Sequence, residues 1–268
     1  MPMLFFTLLC GIAAAVLRGF QLANSFDPQT SLIEPGDPAT AALMALSALF
    51  AVAAAVYALT RGRKKEHAVK RAVKPLGRIW LAVQMLALSV LFSASATDVY
   101  RGFAEARVSS VCLGVLGLFA FAALLMVALS ANKLSFTSAT GFWMTVPVFW
   151  SCLMLIMEFW GHAGNPVRNA YVYGTLATVF CTLALYTVAG FFFNRVKTGR
   201  VLLYALPGIY FAALTLGGAL LGQALGEPIF ALSLSSLLHF AFITLHLSAS
   251  VCAVLYGGFT PPPEKRDA

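Results

Sequence analysis

His239 and His246 stand seven residues apart in a long apolar stretch near the end of the chain. Two helical turns separate them, so a helix carries both imidazoles on one face. Ser236 and Ser250 fall on the same stripe. Imidazole takes up and releases a proton near neutral pH, so such a face could line a cavity, relay protons or hold a ligand. The structural alternative is a pair of neutral histidines hydrogen-bonded to neighbouring helices. A bis-histidine haem draws its ligands from facing helices, and the other two histidines, His67 and His162, fall between apolar stretches. No carboxylate or thiol at ligand spacing completes a zinc set. Neither a metal nor a cofactor is expected.

Other polar residues interrupt apolar stretches. Gln84 joins Ser236, His239 and His246 as a candidate for a ligand or proton pathway. Arg18 and Glu158 each break an apolar run near the same end. Each could snorkel to an interface alone, or the two could pair. Thr175, Thr178, Thr182 and Tyr186 form a further stripe, but membrane hydroxyls commonly bond their own backbone or a neighbouring helix. Gly218, Gly222 and Gly226, with Gly217 beside them, make a ladder of small residues. Such a ladder marks a close helix contact, within the chain or between copies. Pro147 and Pro207 are expected to kink their helices. The five cysteines lie in apolar stretches with no C-x-x-C pair, and read as packing residues. No acid–base pair and no nucleophile–histidine spacing appears, so no catalytic residue is assigned.

The elements that must position these groups are apolar throughout. Of 268 residues, 60% are hydrophobic and 10% charged, a composition outside the soluble range. Eight stretches have membrane-spanning character: Met3–Ala23, Thr40–Thr60, Ile79–Ala96, Val108–Ala131, Phe142–Trp160, Tyr171–Phe193, Val201–Gly222 and Ile229–Tyr256. The fold class is therefore all-α, a polytopic bundle of eight transmembrane helices forming one domain over residues 1–268. Four-helix halves, 1–132 and 133–268, are a possible internal division. The connectors are too short for a folded extramembrane domain. Trp143 and Trp160 fit interfacial anchors, as does Trp80, whereas Trp150 falls at mid-span, as lipid-facing bulk or an aromatic cavity wall.

The net charge of +8 would indicate nucleic acid in a soluble protein; here it reads as orientation. The connector Arg61–Arg78 is densely basic, and the other connectors on its side, with the tail, add Lys133, Arg195, Lys197, Arg200, Lys265 and Arg266. The opposite side holds Arg101, Arg107 and Arg168 and most of the acids: Asp27, Glu34, Asp37, Asp98, Glu105 and Glu227. Both termini are thus expected in the cytoplasm. A cleaved signal peptide in place of the first span is disfavoured by the lack of a basic segment before it. The connector Asn24–Pro38, with three prolines and three acids, reads as a turn-rich external cap.

Three functions remain open. The leading one is a small-molecule or ion transporter, or a permease-like subunit, in a bacterial cytoplasmic membrane. The second is an assembly or accessory protein acting through helix–helix contacts with a membrane partner or a second copy. The third is an intramembrane lipid-modifying enzyme. The partners expected are the bilayer, with anionic headgroups at Arg61–Arg78, and no nucleic acid. A cavity lined by His239, His246 and Gln84 favours transport, and a dry, packed interior favours the accessory role.

Overall fold

The structure, a computed structural model, describes residues 2–26, 32–33, 36–65, 78–133, 138–162, 164, 171–192, 198–225 and 232–256. Among these the chain is helical, with no strand beyond one isolated bridge between Phe26 and Ile33. The helices are α1 (Pro2–Asn24), α2 (Pro38–Lys65), α3 (Arg78–Ala104), α4 (Val108–Lys133), α5 (Ser138–Trp143), α6 (Thr145–His162), α7 (Val172–Phe192), α8 (Thr198–Ala224) and α9 (Leu234–Tyr256). Eight segments are long and apolar enough to cross a membrane, with α5 and α6 together supplying the fifth. A helix satisfies its own backbone hydrogen bonds, the condition for crossing hydrocarbon.

The fifth span differs from the expected kinked helix. It breaks at Met144, and Pro147 sits in the first turn of α6. There its missing N–H has no partner to lose, so proline fits without bending the helix. Pro207, by contrast, lies inside α8.

Helices α3, α4, α6, α7, α8 and α9 contact one another in that cyclic order, and α9 returns to α3. Helices α1 and α2 pack on the far side of α8, which is buried more completely than any other span. Helices from residues 1–132 and 133–268 are therefore interleaved. Trp150 of α6 is fully buried, and its ring meets Phe242 and His239 of α9 at centroid distances of 5.5 Å each. Its place is the interior of the bundle.

Two tight contacts set the geometry around the candidate site. Helix α3 ends in a reverse turn: Arg107 N–H donates to the Gly102 carbonyl at 2.8 Å, and Ala106 takes a left-handed φ of 52°. This i→i−5 closure is the usual way a helix end satisfies its last carbonyls. It turns the chain straight into α4. Gly114 and Gly117 then let α4 lie against α3, since a Cβ at Gly114 would sit 2.6 Å from the Ser95 carbonyl oxygen. The second contact is the glycine ladder. A Cβ on Gly217 would lie 2.6 Å from the Ala15 Cβ, and one on Gly218 would lie 2.5 Å from the Arg18 Cγ. Gly222 faces Leu22, and on α1 Gly11 and Gly19 face Ala213 and Leu221. The seam therefore joins α1 to α8 within one chain. Gly226 lies outside the described residues.

Candidate functional site

Helix α9 carries the two histidines to different places. His246 packs in the interior, where its Nδ1 lies 3.0 Å from the Gln84 Oε1 of α3 and its ring stacks on Phe242 at 5.2 Å. Both partners are buried. With Nδ1 protonated, the imidazole donates to the amide oxygen, a neutral pairing that suits hydrocarbon. His239, two turns nearer the start of α9, reaches Asp98 of α3: Nε2 and Oδ2 are 3.4 Å apart. Gln84 and His246 do not line the cavity that His239 and Ser236 line. The expected single polar face is thus divided into a sealed pair and an open one.

The sequence places Asp98 beyond the end of the third span, at Ala96. Helix α3 instead continues to Ala104, so Asp98 lies inside it with its side chain only 10% exposed. The His239 side chain is 4% exposed. Ser235 hydrogen-bonds the Asp98 carboxylate. The Asp98–His239 contact is too long and misaligned for a hydrogen bond, so Oδ2 and Nε2 both lack partners. Two more buried polar atoms without partners lie close by. A Cβ on Gly117 would meet both of them, the Ser95 Oγ at 2.2 Å and the Trp150 Nε1 at 3.0 Å. Such orphans are rare in buried protein, because each costs about 1–3 kcal/mol.

Above this cluster opens a cavity of about 260 Å³. Asp98, His239, Ser235 and Ser236 form its polar wall, and Leu113, Met154, Met157 and Phe240 its apolar one. Arg101, Glu105 and Arg107 stand at the α3–α4 turn. There the Glu105 carboxylate takes both guanidinium groups, Arg101 at 3.0 Å and Arg107 at 3.2 Å. Glu158 completes the wall and also borders a second cavity of about 30 Å³, which Arg18, Tyr171 and Tyr173 line. Gly174 lets the Glu158 carboxylate come close to α7, since a Cβ there would lie 3.1 Å from Oε1.

Arg18 is buried, with its charge toward the rings of Tyr173 at 5.3 Å and Phe26 at 5.9 Å. It donates to Gln21, whose amide donates to the Thr40 hydroxyl, which in turn donates to Asp37 at 2.6 Å. Asp37 also caps α2 by accepting the Thr40 N–H at 2.6 Å. A polar chain thus runs from a buried guanidinium on α1 to the first turn of α2. Burial works to raise the Asp37 carboxyl, but the Thr40 hydroxyl and amide outweigh it and hold it below the usual carboxylate range.

The threonine stripe of α7 turns inward on its own backbone. Thr175, Thr178 and Thr182 donate to the carbonyls of Tyr171, Thr175 and Thr178. Among the described residues, no three histidine, cysteine, aspartate or glutamate side chains come together as a metal set. Among the described residues, no cavity serine hydrogen-bonds the His239 Nε2. Asp98 sits between Ser235 and His239, so the imidazole is not placed to take the serine proton. One signal in the sequence points to Asp98: Gln84, Leu91 and Asp98 recur every seven residues, which extends the Gln84 face to the end of α3.

Fold and site together define the class: an all-α, multi-pass membrane protein with a polar cavity at one end of its bundle. Comparison with protein-family models, with curated proteins and with solved structures finds no match for the chain.

Proposed function

We propose that the protein moves a small polar solute across a membrane in a proton-linked cycle, with the Asp98–His239 pair as its binding and protonation site. The observation that carries this reading is a buried carboxylate and imidazole, mutually unsatisfied at 3.4 Å, under a cavity of about 260 Å³. Unsatisfied ionisable groups at membrane depth cost several kcal/mol and are kept where a proton or ligand passes. The sealed Gln84–His246 pair and the packed rings of Trp150 and Phe242 close the route beyond the cavity. A cavity open at one end and closed at the other is one half of an alternating-access cycle.

We take the Arg61–Arg78 side and both termini as cytoplasmic, in a bacterial cytoplasmic membrane with anionic headgroups against that connector, on the strength of the basic connectors. On that assignment the cavity opens outward. The accessory reading rests on the helix seams, but the described part of the glycine ladder, Gly217, Gly218 and Gly222, is taken up between α1 and α8 of one chain. For the lipid-enzyme reading, no serine among the described cavity residues hydrogen-bonds the His239 Nε2.

The test is proton flux. The purified protein is reconstituted in phosphatidylethanolamine–phosphatidylglycerol vesicles loaded with a pH-sensitive dye. A panel of small amines, alcohols, carboxylates and amino acids is added outside. Protein-dependent internal pH changes are expected with at least one class, and Asp98→Asn and His239→Leu should each abolish them. If no solute class moves protons above the empty-vesicle rate, the reading fails.

A further inference from the structure

We infer that the guest of this cavity is a small primary ammonium ion, held between Asp98 and His239 in competition with protons. This inference rests on the transport reading for its consequence, though not for the binding itself.

Charge is the first argument. Among the described residues, the cavity is lined by the carboxylates of Asp98, Glu105 and Glu158 and the guanidinium groups of Arg101 and Arg107. The Asp98 carboxylate and a neutral His239 together carry one negative charge. Both guanidinium groups are engaged by Glu105 at the mouth, 3.0 and 3.2 Å away. A monovalent cation balances the Asp98–His239 pair.

The kind of cation follows from the orphaned atoms. Asp98 Oδ2 and His239 Nε2 lie 3.4 Å apart, each buried and without a partner. With the imidazole proton on Nδ1, both are acceptors. One nitrogen bearing three N–H groups satisfies both at ordinary hydrogen-bond lengths. Its third N–H can go to the Ser235 hydroxyl, which already lies on Asp98. Sodium or potassium asks instead for a shell of oxygens, and a ring nitrogen is a poor member of it. Behind the polar pair, Leu113, Met154, Met157 and Phe240 supply an apolar wall for a short alkyl group. At about 260 Å³ the cavity falls below the roughly 300–1,000 Å³ of sites for drug-sized molecules, so the chain on the amine is short. Both orphaned atoms belong to residues that line the cavity.

The same geometry sets an exchange. A proton on Asp98 or His239 removes an acceptor that the ammonium needs. The charged groups facing the pair are Arg101 on α3, Glu105 and Arg107 at the turn, and Glu158 on α6. Ammonium entering from the cavity should therefore expel a proton, and acid should expel ammonium.

The experiment uses n-propylammonium chloride as probe, with n-propanol and sodium propionate as the neutral and anionic matches. Each is titrated into the detergent-solubilised protein by calorimetry and by thermal unfolding. Propylammonium is expected to bind and raise the unfolding midpoint, whereas propanol and propionate should not. Its affinity should fall as pH drops from 8 to 5, and Asp98→Asn should weaken it by about tenfold or more. No propylammonium binding, or equal binding by propanol, would overturn the inference and leave the pair holding ordered water only. Equal affinity for Asp98→Asn would overturn it too, by placing the amine elsewhere. Should Asp98→Asn fail to fold, the wild-type pH series decides: an affinity constant from pH 8 to 5 refutes the competition. If propionate or propanol drives proton flux in vesicles while propylammonium does not bind, the transport reading stands and the ammonium is wrong. If propylammonium binds but no solute moves protons, the site stands and transport fails.

Discussion

Gly217 and Gly222 stand five residues apart on the same helix and should respond oppositely to one added methyl group. A Cβ at Gly217 would lie 2.6 Å from the Ala15 Cβ on α1, where two carbons rest at about 3.5–4.0 Å. Ala15 has no side chain to swing away, so the two backbones must part by about 1 Å. Overpacking of this kind costs roughly 1–3 kcal/mol. Replacing glycine by alanine inside a helix returns about 1 kcal/mol. Gly217→Ala should therefore lose up to about 2 kcal/mol. At Gly222 the added Cβ would meet the Leu22 Cδ1 at 3.2 Å, with the Leu22 Cβ at an ordinary 4.0 Å. The Cδ1 is the far end of a flexible side chain and can give way by a few tenths of an ångström. The helix gain then prevails, and Gly222→Ala should be neutral or stabilising by up to about 1 kcal/mol. In thermal unfolding in detergent, at about 2–4 °C per kcal/mol for a chain of this size, the two midpoints should differ by several degrees. Equal midpoints, or a more stable Gly217→Ala, would mean that α1 does not touch α8 at this seam.

Two further substitutions probe the polar interior. Gln84→Leu should cost about 1–3 kcal/mol by orphaning the buried His246 Nδ1, and adding His246→Leu should recover part of that loss; strictly additive unfolding midpoints would show that the 3.0 Å contact is not an energetic pair. Asp37→Ala should cost about 1 kcal/mol at pH 7 through loss of the α2 cap. The Asp37 carboxyl is held below its usual value in the folded chain, so its contribution is present above the unfolded value of about 3.9 and is lost as pH falls through the folded one. Wild type and variant should thus converge below about pH 4, and a gap that persists into stronger acid would separate the cap from ionisation.

Hydropathy alone was enough to find eight spans, because every backbone amide in hydrocarbon must be satisfied within its own helix and only long apolar runs can do this. The same logic made a close contact legible at Gly217, Gly218 and Gly222, since only residues without bulk let two helices approach. Which helix fills that seam was not legible. A ladder of small residues describes one surface and is silent about its partner, which is α1, with Arg18 threading past Gly218. The histidine stripe shows the same limit. Spacing put His239 and His246 on one face, but a face several turns long meets different neighbours at different depths. His246 finds the Gln84 amide in the sealed interior, and His239 finds Asp98 at the cavity. Asp98 itself read as a connector residue, because charge is the signal by which the end of a span is recognised. Only the packing of α3 against α9 reveals that the helix runs on and buries this carboxylate beside an imidazole. Local hydrophobicity is a property of one segment; the pairing of polar groups across helices belongs to the bundle as a whole, where the cost of an unsatisfied charge decides who must face whom.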